Sequence, residues 1–393
     1  MGWTFTFEKV PAAIQGIALG NAGLASLFVL LGKIYNRSDD YVVAVYVHAP
    51  ISIFFLSLYV GKVIFHPKAF LTDAAAPITN FTYGATAICL SLLASFLALP
   101  QFDLPYEYGL AGVSAAAIFQ LLQEVWFLHT CYKSNTGPQP FWNAACVSIS
   151  ITTITGVSVN MPGWIRQLAW FVGLATMAIT MPAQLWSVFK HHRIFGGTGD
   201  SADIPKLNNN PSVAIMQATA SILCSGWHAT SFETSSDRMK DAVGTIFFVA
   251  SMLWFALTVL ALAVRWKVVL GAITSQNPAL SAMTFPFVIT ATAAAFYFKR
   301  EGGETLEIVV WALFGLCSTL VMSVTLLYFK LLLFGQMLWK PSMGKAHDSF
   351  ASDMLEKATF GVEESKPGNV DVVSKLASSE FCDTGVRAFD VPL

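Results

Sequence analysis

The sequence predicts an all-α integral membrane protein with ten transmembrane helices. Hydrophobic residues make up 55% of the chain and charged residues only 12%, whereas a soluble domain carries roughly 25% charged residues. The charged residues cluster between apolar stretches of about 20 residues, the length that crosses a hydrocarbon core of roughly 30 Å. A chain with this little charge has too little polar surface for a water-exposed fold. The bilayer is therefore the expected solvent.

Ten apolar runs, which we call spans 1 to 10, follow one another along the chain. They cover residues 12–32, 43–65, 78–99, 107–130, 142–160, 163–189, 211–230, 241–266, 279–299 and 306–335. The segments between them are rich in Gly, Pro, Asn and Asp, which favour turns. We therefore expect a short N-terminal segment (1–10), a ten-helix domain (11–338) and a tail (339–393) whose polar composition predicts disorder.

The distribution of positive charge predicts the orientation. With an internal N-terminus, twelve Lys and Arg residues up to Lys345 lie on the inner side and seven on the outer side. Inner loops of membrane proteins carry the excess of positive charge. Both termini are therefore expected in the cytoplasm, and we expect the plasma membrane as the location.

Charge and cysteine content exclude several classes of function. The net charge of −1 offers no basic surface for nucleic acid. The six cysteines are scattered singly and form no CxxC motif, so the sequence predicts neither a disulfide framework nor a metal site, and no cofactor. An intramembrane enzyme would need paired His, Asp or Glu motifs and a receptor an extramembrane ligand domain; neither is present in the sequence.

The ten spans fall into two compositional classes. The odd-numbered spans hold 28 Gly, Ser or Thr residues and 9 Trp or Phe, whereas the longer even-numbered spans hold 22 and 20. Small residues suit close helix contacts or a polar path, and aromatic residues suit a lipid-facing surface. The pattern predicts an inner ring of five odd-numbered helices that form a pore, inside an outer ring of five even-numbered helices.

The polar side chains of the odd-numbered spans are uncharged, apart from His228 near the end of span 7 and Lys299 at the end of span 9. Span 5 is the most polar, and its Ser150 and Thr153 are candidate pore-lining residues. The alternative is that these hydroxyls bond each other or the backbone of a packed bundle. A neutral path of this kind suits a channel or a low-affinity carrier, because it would not hold an ion tightly.

Span 4 carries a carboxylate at membrane depth. Glu124 lies close in sequence to Gln120, Gln123 and His129. Intramembrane carboxylates often mark proton or substrate pathways. Glu124 is thus either a proton-coupling group or a structural residue that is protonated or paired with His129.

Four short stretches resemble one family. The glycine-rich run of span 1 is similar to its GIxLGxxxLA pattern, and the connection after span 2 to HPxAxxxDxxxPxxNF, through His66, Pro67, Asp73 and Pro77. Residues 211–218 and 282–286 resemble two further motifs, P(S/T)xxIxxA and WAxTFP. The four together, in order over residues 10–335, resemble the TehA-like tellurite-resistance/C4-dicarboxylate transporter family of guard-cell slow anion channels, malic acid transporters and sulfite efflux pumps.

The resemblance implies a homotrimer with one pore per protomer, gated by the span 9 phenylalanine at position 285. The chain departs from the family pattern in two places. Thr219-Ala220 stands where the family often has two prolines, and Ser281 stands where a tryptophan is common.

Residue chemistry offers a mechanism for such a gate. Pro286 lacks an N–H and is expected to bend span 9 and leave a carbonyl unpaired beside Thr284. The ring of Phe285 at that bend would plug a narrow lumen as a hydrophobic constriction, or would simply pack against a neighbouring helix. Gly16 and Gly20 of span 1 would line the lumen or pack closely on another helix.

The function expected from this sequence is transport of small anions: chloride, nitrate, sulfite or malate. In the channel form, Lys62, Lys68, Lys190 and Arg193 would concentrate anions at the inner mouth. The alternative is a carrier for C4-dicarboxylates such as malate, or for sulfite, coupled to protons through Glu124. Membrane lipid is the other expected partner.

Overall fold

The computed structural model describes residues 3–8, 10–75, 80, 82–133, 145, 147–190, 215–230, 237–264, 278–334 and 339–341. The helices belong to one unit, Phe5–Trp339, and residues 1–4 and 340–393 form a second. Of the predicted disordered tail, only residues 339–341 are described, and they form a strand, β2 (Trp339–Pro341), paired with β1 (Trp3–Phe5). The rest of the tail lies outside the described residues.

The described α-helices follow the predicted spans, with one addition. In chain order they are α1 (Ile14–Ile34), α2 (Ser38–Phe65), α3 (Pro67–Ala75), α4 (Thr82–Phe96), α5 (Tyr106–Lys133), α6 (Ile151–Ser158), α7 (Gly163–Lys190), α8 (Ile215–Ala229), α9 (Asp237–Val264), α10 (Thr284–Glu301) and α11 (Glu304–Phe334). The short helix α3 lies in the connection after span 2. Spans 1 and 2 are therefore α1 and α2, and spans 3 to 10 are α4 to α11.

Three short 3-10 helices complete the described secondary structure: Pro100–Phe102, Ser148–Ser150 and Pro278–Met283. The last two lead directly into α6 and α10. Spans 5 and 9 thus change helix type within the predicted apolar run, which apolar periodicity does not reveal.

Local chemistry explains several of the helix boundaries. Asn36 and Asn160 adopt positive φ at turns, a conformation that Asn tolerates well. α2 begins five residues before its predicted span, because Asp39 and Asp40 in its first turn interact favourably with the positive end of the helix dipole. Pro67 opens α3, where its missing N–H costs nothing. Gly302 and Gly303, both with positive φ, make the turn between α10 and α11.

Six helices of the described chain are long and apolar enough to cross a membrane, as expected for a multi-pass integral membrane protein. They are α1, α2, α5, α9, α11 and the continuous segment that contains α10. The structure thus agrees with an all-α membrane protein.

Burial differs sharply between these helices. In the most apolar stretch of each helix, 78% of the residues are buried in α1 and 83% in the segment around α10, against 39% in α2, 33% in α5, 17% in α9 and 33% in α11. The two odd-numbered spans are therefore the interior ones. The main core cluster lies between α1, α2, α4, α10 and α11.

The contacts between helices follow a regular plan. Each odd-numbered span packs against the even-numbered span that follows it: α1 with α2, α4 with α5, α6 with α7, α8 with α9, and α10 with α11. The odd-numbered spans also contact one another in succession, α1 with α4, α4 with α6, α6 with α8, α8 with α10, and α10 with α1.

Candidate functional site

The contact between α1 and the start of α10 contains four of the predicted site residues. Thr284 is fully buried, and its hydroxyl donates to the carbonyl oxygens of Gly16 (2.9 Å) and Ser281 (2.8 Å). A Cβ on Gly20 would lie 2.5 Å from Oγ1 of Thr284. Gly16 and Gly20 therefore let α10 approach the backbone of α1, the packing role that GxxxG spacing allows.

Phe285 is buried, with 6% of its surface exposed, and lies next to the third glycine of the same α1 face. A Cβ on Gly23 would lie 3.2 Å from Cδ2 of Phe285 and 3.1 Å from Cγ1 of Val288. The ring thus packs on α1 beside the contact of Gly20 with Thr284.

Pro286 does not interrupt a continuous α-helix. The segment before it is a 3-10 helix up to Met283, and α10 begins at Thr284. Pro286 therefore falls in the first turn of α10, where an α-helix does not require its N–H. What changes at this point is the helix type.

The two candidate residues of span 5 face different neighbours. Ser150 Oγ lies where a Cβ on Gly173 of α7 would be, and Thr153 Oγ1 lies where a Cβ on Gly226 of α8 would be. The Thr153 hydroxyl also donates to the Ser150 carbonyl at 2.6 Å. Ser150 therefore packs span 5 against an even-numbered span, and Thr153 packs it against an odd-numbered one.

Polar side chains join most of the successive odd-numbered spans. Gln15 of α1 bonds Thr82 (3.2 Å) and Thr86 of α4. Ser91 of α4 and Thr155 of α6 are 2.9 Å apart, as are Ser221 of α8 and Thr290 of α10. With Thr284 closing the contact from α10 to α1, polar side chains connect four of the five successive pairs of odd-numbered spans.

Several buried polar groups have no hydrogen-bond partner among the described residues. The donors among them include the Ser150, Thr219 and Thr230 hydroxyls and the side-chain nitrogens of Gln120 and Gln123, and the acceptors include the side-chain oxygens of Gln123 and Gln217. A buried polar group without a partner costs about 1–3 kcal/mol. Donors of this kind are suited to interaction with an anion, because they present N–H and O–H groups without negative charge.

A cavity of about 460 Å³, which we call the vestibule, opens at the end of the bundle where α1 and α10 finish. Four odd-numbered spans line it: α1 with Ser26, Leu30 and Lys33, α6 with Ile154 and Ser158, α8 with His228, and α10 with Thr292 and Lys299. Thr230, just beyond α8, and Lys240 of α9 also line it.

The charged groups of the vestibule are all positive. Lys33, Lys240, Lys299 and Arg300 line it, and none of the described lining residues is an Asp or Glu. Arg300 is engaged at the rim by the carboxylate of Asp241. In the sequence these residues bear only on orientation, and the anion-attracting charges are expected at the opposite, inner mouth.

Phe285 lies deeper in the bundle on the same face of α10. Residues 285, 292, 296 and 299 recur at helical spacing, and the last three line the vestibule. Seven residues separate Phe285 from Thr292, so the ring lies roughly 10 Å along the helix axis from the nearest lining residue of α10. The α1 lining begins at Ser26, three residues after Gly23, which contacts Phe285.

The end of α2 and the motif that follows it make polar contacts with the N-terminal segment. Lys62 is buried (5% exposed), and its ammonium group donates to Asp73 Oδ2 (2.8 Å) and to the carbonyl of Val10 (2.9 Å). His66 Nε2 lies 3.2 Å from the Thr6 hydroxyl. Pro77 lies outside the described residues, as does Arg193, and nothing is described of the Lys190 side chain.

These contacts correct the expected role of Lys62. A buried ammonium paired with a carboxylate adds little field at a pore mouth, because the opposite charge lies beside it. Of the four residues predicted to concentrate anions at the inner mouth, Lys68 is the one whose side chain is described at the surface, on the exposed side of α3.

Glu124 is buried, with 7% of its surface exposed, on the side of α5 that also buries Gln120 and Gln123. His129 is on the exposed side of the same helix, and no ion pair joins the two residues in the described part of the chain. The pairing with His129 is therefore not observed. Gln120 accepts a long hydrogen bond from Thr152 of α6 (3.4 Å), which places this group next to span 5.

In comparisons with known proteins, no family model and no curated protein matches this chain.

Proposed function

We propose that this protein transports small anions through a path enclosed by α1, α4, α6, α8 and α10, the helices of the odd-numbered spans. The observation that carries the proposal is the vestibule, which four of these five helices line. All the charged residues among its described lining residues are positive. A cavity that collects positive charge at the mouth of a helix bundle raises the local concentration of anions and repels cations.

The succession of helix contacts supports a path between these helices. The five helices contact one another in a closed order, from α1 through α4, α6, α8 and α10 back to α1. A closed order of this kind is expected of an inner ring in a ten-span protein, with the even-numbered spans outside. The greater burial of α1 and α10 fits the same arrangement.

The interior chemistry offers hydrogen-bonding groups without fixed charge. Among the described residues, the Thr219 hydroxyl of α8 and the side-chain nitrogens of Gln120 and Gln123 on the adjoining α5 are unpartnered donors, and the side-chain oxygens of Gln123 and Gln217 are unpartnered acceptors. The donors can replace part of an anion's hydration shell. A neutral interior binds weakly, so ions enter and leave rapidly.

Phe285 is the proposed constriction of this path. It lies below the vestibule on the α10 face that lines it and is held against α1 at Gly23. A ring in this position blocks a narrow path by filling it and by excluding water.

The substitution Phe285→Ala tests this function. We expect the anion flux into proteoliposomes to rise several-fold, because the plug is removed. Phe287→Ala is the matched control. Phe287 is about equally buried (5% exposed), but its ring packs on Phe255 of α9, with 5.6 Å between the two ring centroids. Each change costs about 3–5 kcal/mol of stability, so a rise in flux in both variants would indicate a loosened fold. Unchanged flux in Phe285→Ala would contradict the constriction, and absence of anion flux in every variant would contradict the function.

A second candidate is a carrier for C4-dicarboxylates or sulfite that is coupled to protons. The observation that favours it is Glu124, buried on the side of α5 that also buries Gln120 and Gln123, whose side-chain nitrogens lack partners in the described chain. A proton-coupled carrier needs a group that exchanges a proton at membrane depth. An inward proton gradient should accelerate malate uptake by the wild type, and Glu124→Gln should abolish that acceleration. Uptake by the variant that still responds to the gradient would rule out Glu124 as the proton-coupling group.

The remaining parts of the proposal follow from the motif resemblance and the charge count. We propose membership of the tellurite-resistance/C4-dicarboxylate transporter family, a homotrimer with one path per protomer, and a plasma-membrane location with both termini in the cytoplasm. In this orientation the vestibule faces the outside. Native mass spectrometry of the detergent-solubilised chain tests the trimer.

A further inference from the structure

We propose that the vestibule is a binding site for divalent oxyanions of the sulfate type, which it holds at the mouth of the path without passing them on. The effect of such an anion on flux rests on the proposed function in its channel form, in which monovalent anions pass; the binding site itself does not.

The arrangement of charge in the vestibule favours a divalent ligand. Lys33 ends α1 and Lys299 ends α10, and both are exposed within the same cavity of about 460 Å³. The charge of Arg300 is partly neutralised by Asp241. In the described part of the chain no carboxylate forms an ion pair with Lys33 or Lys299, so these two lysines supply the positive charge that remains. An anion with two negative charges is attracted by each lysine about twice as strongly as a monovalent one.

Hydroxyl groups complete the site. Thr230 lines the vestibule, is only 4% exposed, and its Oγ1 has no hydrogen-bond partner among the described residues. Ser26, Ser158 and Thr292 line the same cavity. An oxyanion has several acceptor oxygens, so it can take hydrogen bonds from a buried hydroxyl and from lysines at once.

The path below does not suit the same ion. Beyond the vestibule the odd-numbered spans carry no charged residue down to Phe285 and Thr284. The cost of removing an ion from water rises with the square of its charge, about four times as much for a divalent anion, whereas its attraction to fixed charges only doubles. A divalent oxyanion is therefore retained where the lysines are and excluded from the neutral interior, so it obstructs smaller anions.

Sulfate is the probe for the binding site. Calorimetry of the full chain in detergent should show sulfate binding that Lys33→Gln and Lys299→Gln each weaken about tenfold, the typical loss for one charge-assisted contact. Lys33→Arg should retain the affinity. Lys68→Gln, an exposed lysine on α3, is the matched control and should bind as the wild type does. Equal sulfate binding by the wild type and the Lys33→Gln/Lys299→Gln double variant would overturn the site.

The flux arm separates this inference from the proposed function. In proteoliposomes that carry nitrate, sulfate on the vestibule side should slow nitrate flux in the wild type, and about tenfold more should be needed in either glutamine variant. Sulfate that crosses as fast as nitrate would overturn the retention. Nitrate flux without sulfate binding refutes this inference alone, whereas lysine-dependent sulfate binding without nitrate flux supports the site and refutes the proposed function.

Discussion

Gly20 shows how one residue decides the distance between two interior helices. A Cβ at this position would lie 2.5 Å from Oγ1 and 2.7 Å from Cβ of Thr284, a branched side chain at the start of α10. Contacts this short are not tolerated, so either α1 or α10 must move. The hydroxyl of Thr284 would then lose its bond to the Gly16 carbonyl.

We therefore expect Gly20→Ala to destabilise the protein by about 1–3 kcal/mol, the usual cost of overpacking a core. The measurement is the midpoint of thermal unfolding in mild detergent. Gly315→Ala on α11 is the matched control, because a Cβ there meets nothing within 4 Å and alanine is the better helix former. The same loss in both variants would show that the α1–α10 contact is not the cause.

Lys62 illustrates a residue whose role cannot be assigned from its charge alone. Its place near the end of span 2 suggested a cation at the inner mouth. The structure instead buries it between Asp73 and the carbonyl of Val10. The pairing depends on the contact of α3 with α2, which brings Asp73 beside Lys62. The charge and position of Lys62 do not by themselves predict that contact.

At the scale of helices, a buried polar triad joins α1, α2 and α11. Asn21 donates to the Thr325 hydroxyl (2.9 Å) and to its own helix at Ile17 (3.0 Å), and its Oδ1 lies 2.9 Å from Nδ1 of His48. All three triad residues are at most 7% exposed. The triad ties an interior helix to the two even-numbered spans that flank it.

Asn21→Ala should cost roughly 2–4 kcal/mol of stability, because each buried polar group left without a partner costs about 1–3 kcal/mol. The unfolding midpoint in detergent measures it. Ser52→Ala is the control: Ser52 is as buried as Asn21, but its hydroxyl bonds only the His48 carbonyl of its own helix (2.9 Å). A shift no larger than that of Ser52→Ala would mean that the triad does not hold the three helices together.

At the scale of the whole molecule, the proposed ten-span topology makes a prediction about sidedness. Lys33 and Lys299 should lie on one face of the membrane and Lys68 on the other, because spans 1 and 9 end on the face where span 2 begins, whereas Lys68 follows the end of span 2. With Cys146→Ser and Cys382→Ser as background, since neither cysteine is among the described residues, a membrane-impermeant maleimide added to intact cells should label Lys33→Cys and Lys299→Cys but not Lys68→Cys. The cysteines described at positions 89, 131, 224 and 317 are all buried and serve as an internal blank. Labelling of Lys68→Cys together with Lys33→Cys would contradict the topology.

Much of the helix arrangement was predictable because burial in a bilayer leaves a strong local signal. The described helices lie in the predicted spans, and most of their boundaries agree to within about five residues, but α6 covers only residues 151–158 of the predicted span 142–160. Six helices of the described chain are long and apolar enough to cross a membrane. The boundaries that differ have local causes that a hydropathy pattern does not carry, such as the acidic first turn of α2 and the 3-10 segments before α6 and α10.

The candidate site was predicted less completely. The sequence pointed to Thr284 and Phe285 through the motif around them, and both lie in the contact between α1 and α10, the two most buried of the membrane-length helices. It did not point to the vestibule, because Lys33, Lys240 and Lys299 are more than 200 residues apart at their extremes and each looks like an ordinary helix-flanking charge.

The sequence by itself determined the solvent, the helical class and the division of the spans into two compositions, because these depend on side-chain type and on repeats within about 20 residues. Only the tertiary structure decided which hydroxyls face which helix, that Lys62 is neutralised by Asp73, and that positive charges from three separate helices share one cavity. These properties depend on contacts between segments distant in the chain. Helix packing sets such contacts through shape, as at Gly20 and Gly23, and that geometry exists only once the helices are assembled.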